Sequence, residues 1–464
     1  CLPSLQREDI PPSVPIIKES ASEDALRATL YNTTTSGIVY FAAAAGTGLL
    51  PAALLPLAPF FCYALSRMGT ARRDYAEMAQ RIDAYTGGVG LSTHARTRFD
   101  GTGDCVPFIS FNGKCLLRNR EPMFNIIQEL LHHSDFSNLT RLKSILLEYR
   151  AGLESMVIQS GHRLAISLAA RNLSSTRMLS ETWGGVHQLQ TIKRLSDGIT
   201  EQNLIALSGE LTAIGKGLFT QANFRMALIG EAPALTEARS CAKSIFDGFK
   251  PGEEDGFRAP DMAIDGGALR EGWSTSSAVS FVALAFETVR MAHEDAAVLA
   301  VISKMLRSMY LHREIREKGG AYGGFALYSP EDGLFSFASY RDPHIVSTLE
   351  AFDNAAAFIR SGNFSEEDVK EAILQVCSEI DKPDPPGPAA RKAYYRKIIS
   401  LSDEMRTRFK SRLLSLTRSQ VMQAAEKYFN KNGARKAVAV ISGEDKLKAA
   451  NTKLSGKPLE LHRI

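Results

Sequence analysis

The stretch REIREKGGAYGGFALYSPEDGLFSFASYRDP, residues 313–343, decides how this chain is read. A charged run meets four glycines between Gly319 and Gly324. Glycines at that point stop a helix and let the backbone come close to other groups. Upstream, DAAVLAVISKMLRSMYLHREI (295–315) has the amphipathic pattern of a long helix, and SSAVSFVALAFE (276–287) suits a strand. Downstream, GLFSFASY (333–340) reads as a strand and DPHIVSTLEAFDNAAAFI (342–359) as a helix. Helical stretches resume at the capping signal Ser365-Glu366-Glu367-Asp368. The run KAVAVISGE (436–444) and a short helix, DKLKAAN (445–451), close the series.

The same order of signals occurs earlier in the chain. SGIVYFAAAA (36–45) suits a strand and PAALLPLAPFFCYALSRM (51–68) a proline-started buried helix. RIDAYTGGVGLSTHARTRF (81–99), VPFISF (106–111), the helix EPMFNIIQELL (121–131) and a long helical stretch follow. FRMALIGE (224–231) then leads to the helix LTEARSCAKSIF (235–246). Thr86-Gly87-Gly88 matches Tyr322-Gly323-Gly324, and Ile229-Gly230-Glu231 matches Ser442-Gly443-Glu444. A unit of about 200 residues is far longer than a solenoid repeat of about 20–50. The expectation is therefore an α+β chain of two homologous domains, each a mostly antiparallel sheet with helices on one face. KPGEEDGFRAP (250–260), charged and rich in glycine and proline, is the expected boundary. Residues 1–21 read as a linker, 22–249 as the first domain, 250–260 as a second linker and 261–464 as the second domain.

Composition narrows the function classes. The 464 residues are 44% hydrophobic and 23% charged, as in ordinary globular protein, and the formal charge is only +4. Lys and Arg are spread among Asp and Glu, unlike the concentrated basic face of a nucleic-acid binder. The six cysteines form no CxxC pair, so reduced, mostly buried thiols are expected. Residues 28–66 carry no charge, but Gly46, Gly48, Pro51, Pro56 and Pro59 interrupt the apolar run. That pattern favours a strand, a turn and a helix over a membrane span. The opening CLPSLQREDIPPSVP has no apolar core and reads as a lead-in to a domain rather than a targeting peptide. The chain is expected to be a fragment or processed half of a longer protein.

The nine histidines give no metal motif. None begins H-x-x-E-H, and His293-Glu294 lacks the second histidine of H-E-x-x-H, Ala297 standing there. Glu129 and His133 would share a helix face, but a catalytic zinc usually takes three protein ligands, and a polar helix end is the better reading. Ala45-Gly46-Thr47-Gly48 has Pro51 where a dinucleotide fingerprint needs glycine, so a turn is expected. Arg316 and Tyr322 flank the glycine stop, where a loop could bring both to one cleft. Arginine supplies a permanent fork of donors and tyrosine a hydroxyl donor, a pair able to hold a peptide carbonyl or an oxyanion. On spacing alone, a glycine-rich turn with a surface arginine and a packed tyrosine is an equal reading.

Residues 313–343 resemble the fourth-domain signature of the presequence proteases, in the pitrilysin/insulinase superfamily. LPSLQREDIPP (2–12) is similar to the lead-in to that family's third domain, and residues 59–99 to its first half. The stretch from Asp381 to Leu416 is similar to the fourth domain's helical block. The resemblance implies four homologous α+β domains in two halves that enclose a chamber for unstructured peptides. It also implies that zinc is held by an N-terminal half carrying H-x-x-E-H, a motif this chain lacks. This chain would then be the zinc-free C-terminal half of a zinc metalloendopeptidase, inactive alone, with domains of the third and fourth type. Its partner would be the zinc-bearing half, in the same polypeptide or a separate one, and its substrates unstructured peptides. Arg316 and Tyr322 match the family's substrate-contacting pair, with Gly319 and Gly320 expected in the substrate-binding loop. A bacterial cytoplasm or organelle matrix fits, with no nucleic acid or membrane as partner. A scaffold subunit of the same fold and a peptide-binding module without an enzymatic partner are the alternatives.

Overall fold

The computed structural model describes residues 5–262, 267, 269–430, 435–454 and 456–464. Cys1 and the first residues of the opening segment lie outside them. In the first half the chain runs β1 (Ala21–Glu23), β2 (Ala28–Asn32), β3 (Ile38–Gly46), α1 (Ala58–Leu65), β4 (Gly69–Thr70), α2 (Tyr75–Tyr85), β5 (Val89–Thr97), β6 (Cys105–Leu116), α3 (Arg120–His133) and β7 (Ser134–Asp135). It continues α4 (Leu139–Gln159), α5 (Gly161–Ala170), α6 (Ser175–Gly184), α7 (Val186–Ser196), α8 (Glu201–Leu218), β8 (Phe224–Gly230) and α9 (Ala232–Asp247). The second half runs β9 (Arg270–Ser274), β10 (Phe281–Glu287), α10 (Ala296–Met305), a π-helix (Leu306–Lys318), β11 (Gly323–Ser329), β12 (Leu334–Tyr340), α11 (Val346–Ser361) and α12 (Glu366–Ile380). It ends α13 (Pro386–Ile398), α14 (Asp403–Leu414), α15 (Arg418–Tyr428), β13 (Lys436–Ser442), α16 (Glu444–Lys453) and β14 (Glu460–Arg463).

Two six-stranded sheets carry the fold, in the orders β1-β2-β8-β3-β6-β5 and β14-β9-β13-β10-β12-β11. Aligned from β2 and β9 onward, the two orders are the same. In both, the pair β2/β8 or β9/β13 is parallel and every pair after it is antiparallel. The duplicated signals of the sequence are thus a duplicated α+β topology. They differ at the outer edge, where β1 pairs antiparallel with β2 but the C-terminal β14 pairs parallel with β9.

Each sheet is covered on both faces, not on one as expected, because each half also receives a helix from the other. Along β10, Phe281, Ala283 and Ala285 enter one core while Val282, Leu284 and Phe286 enter another. The second core is built with the half's own helices. The first is continuous with the core of the other half, because α5 crosses over and packs on β10, β12 and β13. The exchange is reciprocal. Ala42 and Ala44 of β3 share a core with Ala390, Tyr394 and Ile398 of α13 behind the first sheet. The charge-free run of the sequence is therefore a doubly buried strand followed by a buried helix, and alanines at positions 42–45 let backbone layers approach on both sides. No described helix is long and apolar enough to cross a membrane.

The segment 250–260 does not hang free between the sheets. The Gln221 and Ala222 amides donate to the carbonyls of Lys250 and Pro251 at 2.8 Å, and Phe257 is buried behind the first sheet. Gly48 N–H donates to the Gly256 carbonyl at 2.9 Å, and a Cβ on Gly46 would stand 2.1 Å from the Gly256 carbonyl carbon. That contact explains the glycines of Ala45-Gly46-Thr47-Gly48. The cysteines within the described residues are free, Cys62, Cys105, Cys115 and Cys377 buried and Cys241 half-buried.

Candidate functional site

The expected single α-helix before the glycines is two helices end to end. After ten residues of α10 the chain widens into thirteen residues of π-helix. The buried positions Leu306, Leu311 and Ile315 fall five and four apart, the spacing of an i→i+5 helix, and extended π-helix is rare. His312 and Glu317, five apart, pair at 3.2 Å on its surface. The helix stops where Gly319 and Gly320 donate to the Arg316 carbonyl and Ala321 to that of Ile315. Gly320 has φ +72, and a Cβ on Gly319 would press to 2.6 Å from the Ile315 carbonyl oxygen. These two glycines turn the chain. It then enters β11 along the helix, with Gly324 close against Leu311 and Ile315.

The turn sets Arg316 and Tyr322 on one cleft of about 500 Å³, lined also by Gly323 and Gly324. Gly319 and Gly320 shape the turn and are not among its lining residues. Tyr322 is 70% exposed, unusual for so large an aromatic side chain. Its ring meets Tyr340 edge to face at 5.8 Å, and its amide donates to the Tyr340 carbonyl at 3.0 Å. The Tyr322 hydroxyl and the Arg316 guanidinium have no hydrogen bond or ion pair with any described residue. Both donors are therefore free to meet a ligand carbonyl or a developing oxyanion.

The other wall comes from the first half, at the start of α5. The Tyr340 hydroxyl donates to the Gln159 carbonyl at 3.3 Å, tying the walls together. His162 stacks on Phe325 at 5.4 Å and meets Tyr340 edge-on at 4.8 Å. Burial, helped by the charge of Arg163, lowers its pKa from the usual imidazole range. A Cβ on Gly161 would enter the Phe281 ring at 2.4 Å, so α5 can sit this close to the second sheet only with glycine there. Sequence reasoning missed His162 and Arg163, which reach the cleft only through the crossing of α5. No spacing signal links them to Tyr322.

Several other histidines are occupied structurally. Glu129 is buried, accepts from Thr70 Oγ1 at 2.6 Å and pairs with Arg73, while His132 Nε2 lies 2.9 Å from the Ile245 carbonyl. His94 stacks on Phe108 at 4.9 Å, and burial, then the charge of Arg96, takes its pKa down to about 4. His187 pairs with Glu181 at 3.0 Å, and His293 Nδ1 accepts from the Asp295 amide at 3.0 Å. Among the described residues, no group of three or more His, Cys, Asp or Glu is placed to hold a metal ion.

Comparison with known proteins gives a consistent picture. Residues 1–195 match the family described as peptidase M16 (subgroup C) associated, and residues 276–444 match "PreP C-terminal domain". The mitochondrial presequence protease of Danio rerio is 30% identical over 96% of this chain and 45% of its own length. That of Yarrowia lipolytica is 29% identical over 92% of this chain and 43% of its own. The chloroplastic/mitochondrial presequence protease 1 of Arabidopsis thaliana is 26% identical over 98% and 42%. The chain thus spans less than half the length of these curated relatives. Among solved structures, a peptidase M16 inactive domain from Pseudomonas fluorescens superposes with a TM-score of 0.64, covering 92% of this chain and 98% of that one at 16% identity. A conserved protein from Enterococcus faecalis gives 0.65 at 13% identity, over 90% and 96%.

Proposed function

We propose that this chain, which belongs to the presequence-protease-like M16 peptidases as their C-terminal half, forms one wall of a chamber in which short unstructured peptides are hydrolysed. The observation that carries this reading is the pairing of Arg316 with Tyr322. Both donors lie on one cleft and neither is committed to the protein's own structure. A surface arginine and a merely packed tyrosine would leave the tyrosine buried, whereas Tyr322 is 70% exposed. In this reading the zinc sits in the N-terminal half, where it would supply an activated water to attack the peptide bond.

The work of this chain is binding and charge stabilisation. The Arg316 guanidinium holds a peptide carbonyl and orients the backbone. The Tyr322 hydroxyl donates toward the carbonyl oxygen as it gains negative charge. Interactions that strengthen in the transition state raise turnover rather than affinity alone. The sharp turn at Gly319 and Gly320 brings Arg316 and Tyr322 to the same cleft. The two-domain arrangement, with residues 22–249 and 261–464 as the third- and fourth-type domains, belongs to the same reading. So do the partnership with a zinc-bearing half and an organelle matrix or bacterial cytoplasm as the site of action. The test is cleavage of an unstructured peptide by the assembled enzyme, with zinc measured in each variant. Steep loss of turnover in Tyr322→Phe at unchanged zinc content supports the role. Undiminished cleavage by both Tyr322→Phe and Arg316→Ala overturns it in favour of a scaffold.

A further inference from the structure

The geometry points to a carboxylate subsite in the same cleft, formed by Arg163, Arg307 and the first turn of α5, that would favour peptides carrying a negative charge next to the bond held by Arg316 and Tyr322. This rests on the reading of that pair as peptide-binding.

No Asp or Glu lines the cleft, while Arg163, Arg307 and Arg316 all do. Elsewhere the arginines of this chain are commonly matched with acids, as Arg96 is with Glu331 at 2.8 Å and Arg225 with Asp255 at 2.6 Å. Arg163 and Arg307 are exposed, and neither guanidinium has an ion pair or hydrogen bond with a described residue. Arg307 lies over the Phe325 ring at 5.3 Å, which gives its guanidinium a seat while leaving its N–H donors open. Arg163 is in the first turn of α5, whose N-cap Ser160 makes no side-chain cap. Ser160 also caps the end of α4, so the partial charges of the two helix ends offset one another and the guanidiniums carry the charge of the site. His162 Nδ1 is buried at the same spot with no partner.

These donors come from both halves of the molecule, and α5 brings them together. Guanidinium forks match a planar carboxylate in two parallel hydrogen bonds. An unstructured peptide offers that group in two places, its C-terminus and its Asp or Glu side chains. With Arg316 and Tyr322 holding a backbone carbonyl, Arg163 and Arg307 would take the charge a short distance along the peptide.

The test is fluorescence anisotropy of three labelled, otherwise identical short peptides with the whole chain at low ionic strength. One is neutral and amidated, one has a free C-terminal carboxylate, and one is amidated with a single glutamate. Tighter binding of either charged peptide than the neutral one is expected. Arg163→Gln and Arg307→Gln should each shrink that preference about two- to fivefold, as for exposed ion pairs. Circular dichroism establishes that each variant is folded. Preference for the free C-terminus alone, or for glutamate alone, supports the subsite and tells which carboxylate it takes. Measurable but equal binding of all three peptides overturns the subsite and leaves the Arg316/Tyr322 reading standing. A preference unaltered in both arginine variants does the same. Failure of every peptide to bind overturns that reading and the subsite with it.

Discussion

Arg171 sets its guanidinium across both carboxylate oxygens of Glu271, at 2.6 and 2.5 Å, and so ties the end of α5 to the first strand of the other half's sheet. Trp273 Nε1 donates to the same carboxylate at 2.9 Å, and both ends of the ion pair are largely buried. Breaking one side of a buried pair strands the other charge.

Glu271→Gln should therefore lower stability by about 3–5 kcal/mol at neutral pH. Burial pushes the Glu271 carboxyl up, but hydrogen bonds from Arg171 and Trp273 win and hold it below the usual carboxylate range. A depressed folded-state pKa means the contribution is complete above the unfolded carboxylate pKa of about 4.3 and disappears as pH falls through the folded value. Thermal denaturation between pH 7 and pH 3 should show the variant's deficit closing as the medium becomes acidic. A deficit independent of pH would exclude the carboxylate charge as its cause.

Tyr322→Phe should reduce turnover of an unstructured peptide by about 10²–10³ in the assembled enzyme, the usual cost of one oxyanion donor. Arg316→Ala should weaken both binding and turnover. If both act on one carbonyl, the double variant loses less than the product of the single losses. Steady-state kinetics on the four proteins closes the cycle.

Gly46→Ala should be severely destabilising, because its new methyl would meet Gly256 backbone at 2.1 Å. Gly37→Ala is the control. Gly37 has a positive φ, +75, but nothing lies within 4 Å of an added Cβ. Only the left-handed backbone penalty of about 1–2 kcal/mol applies there. Soluble yield and denaturant midpoints of the two variants should separate clearly.

Tyr394→Phe should stabilise the protein. The Tyr394 hydroxyl is buried against the first sheet and has no hydrogen-bond partner, and burial pushes its pKa far above the ordinary phenol range. Removing an unsatisfied buried polar group returns about 1–3 kcal/mol. A higher urea midpoint with an unchanged slope is the expected result, and a lower midpoint would mean the hydroxyl is satisfied after all.

The repeat was legible because β3 and β10, and β8 and β13, each bring the same kind of apolar run to the same place in the order. The covering of the second face was passed over by an expectation of helices on one face, although strands such as Ile38–Gly46, apolar without alternation, carry its signal. What covers the second face was not legible. The core shared by Ala42 and Tyr394, or the close approach of Gly161 to Phe281, joins residues with no local pattern between them. The π-helix had a signal in the five-and-four spacing of Leu306, Leu311 and Ile315, which an expectation of three-and-four passes over. At the cleft, Arg316 and Tyr322 were legible because a local glycine stop places them both. Arg163 needed the tertiary crossing of α5.

The exchange of α5 and α13 has a consequence for how such a chain arose and how it can be divided. A duplicated gene first yields two copies that each stand alone, and either can be lost. Once each copy lends the other a helix, cutting the chain between them leaves two bare alanine-rich sheet faces. Such fragments would stick to each other, or to anything else apolar, before they could act as modules. By its packing, the smallest unit of this fold that could stand alone is the pair.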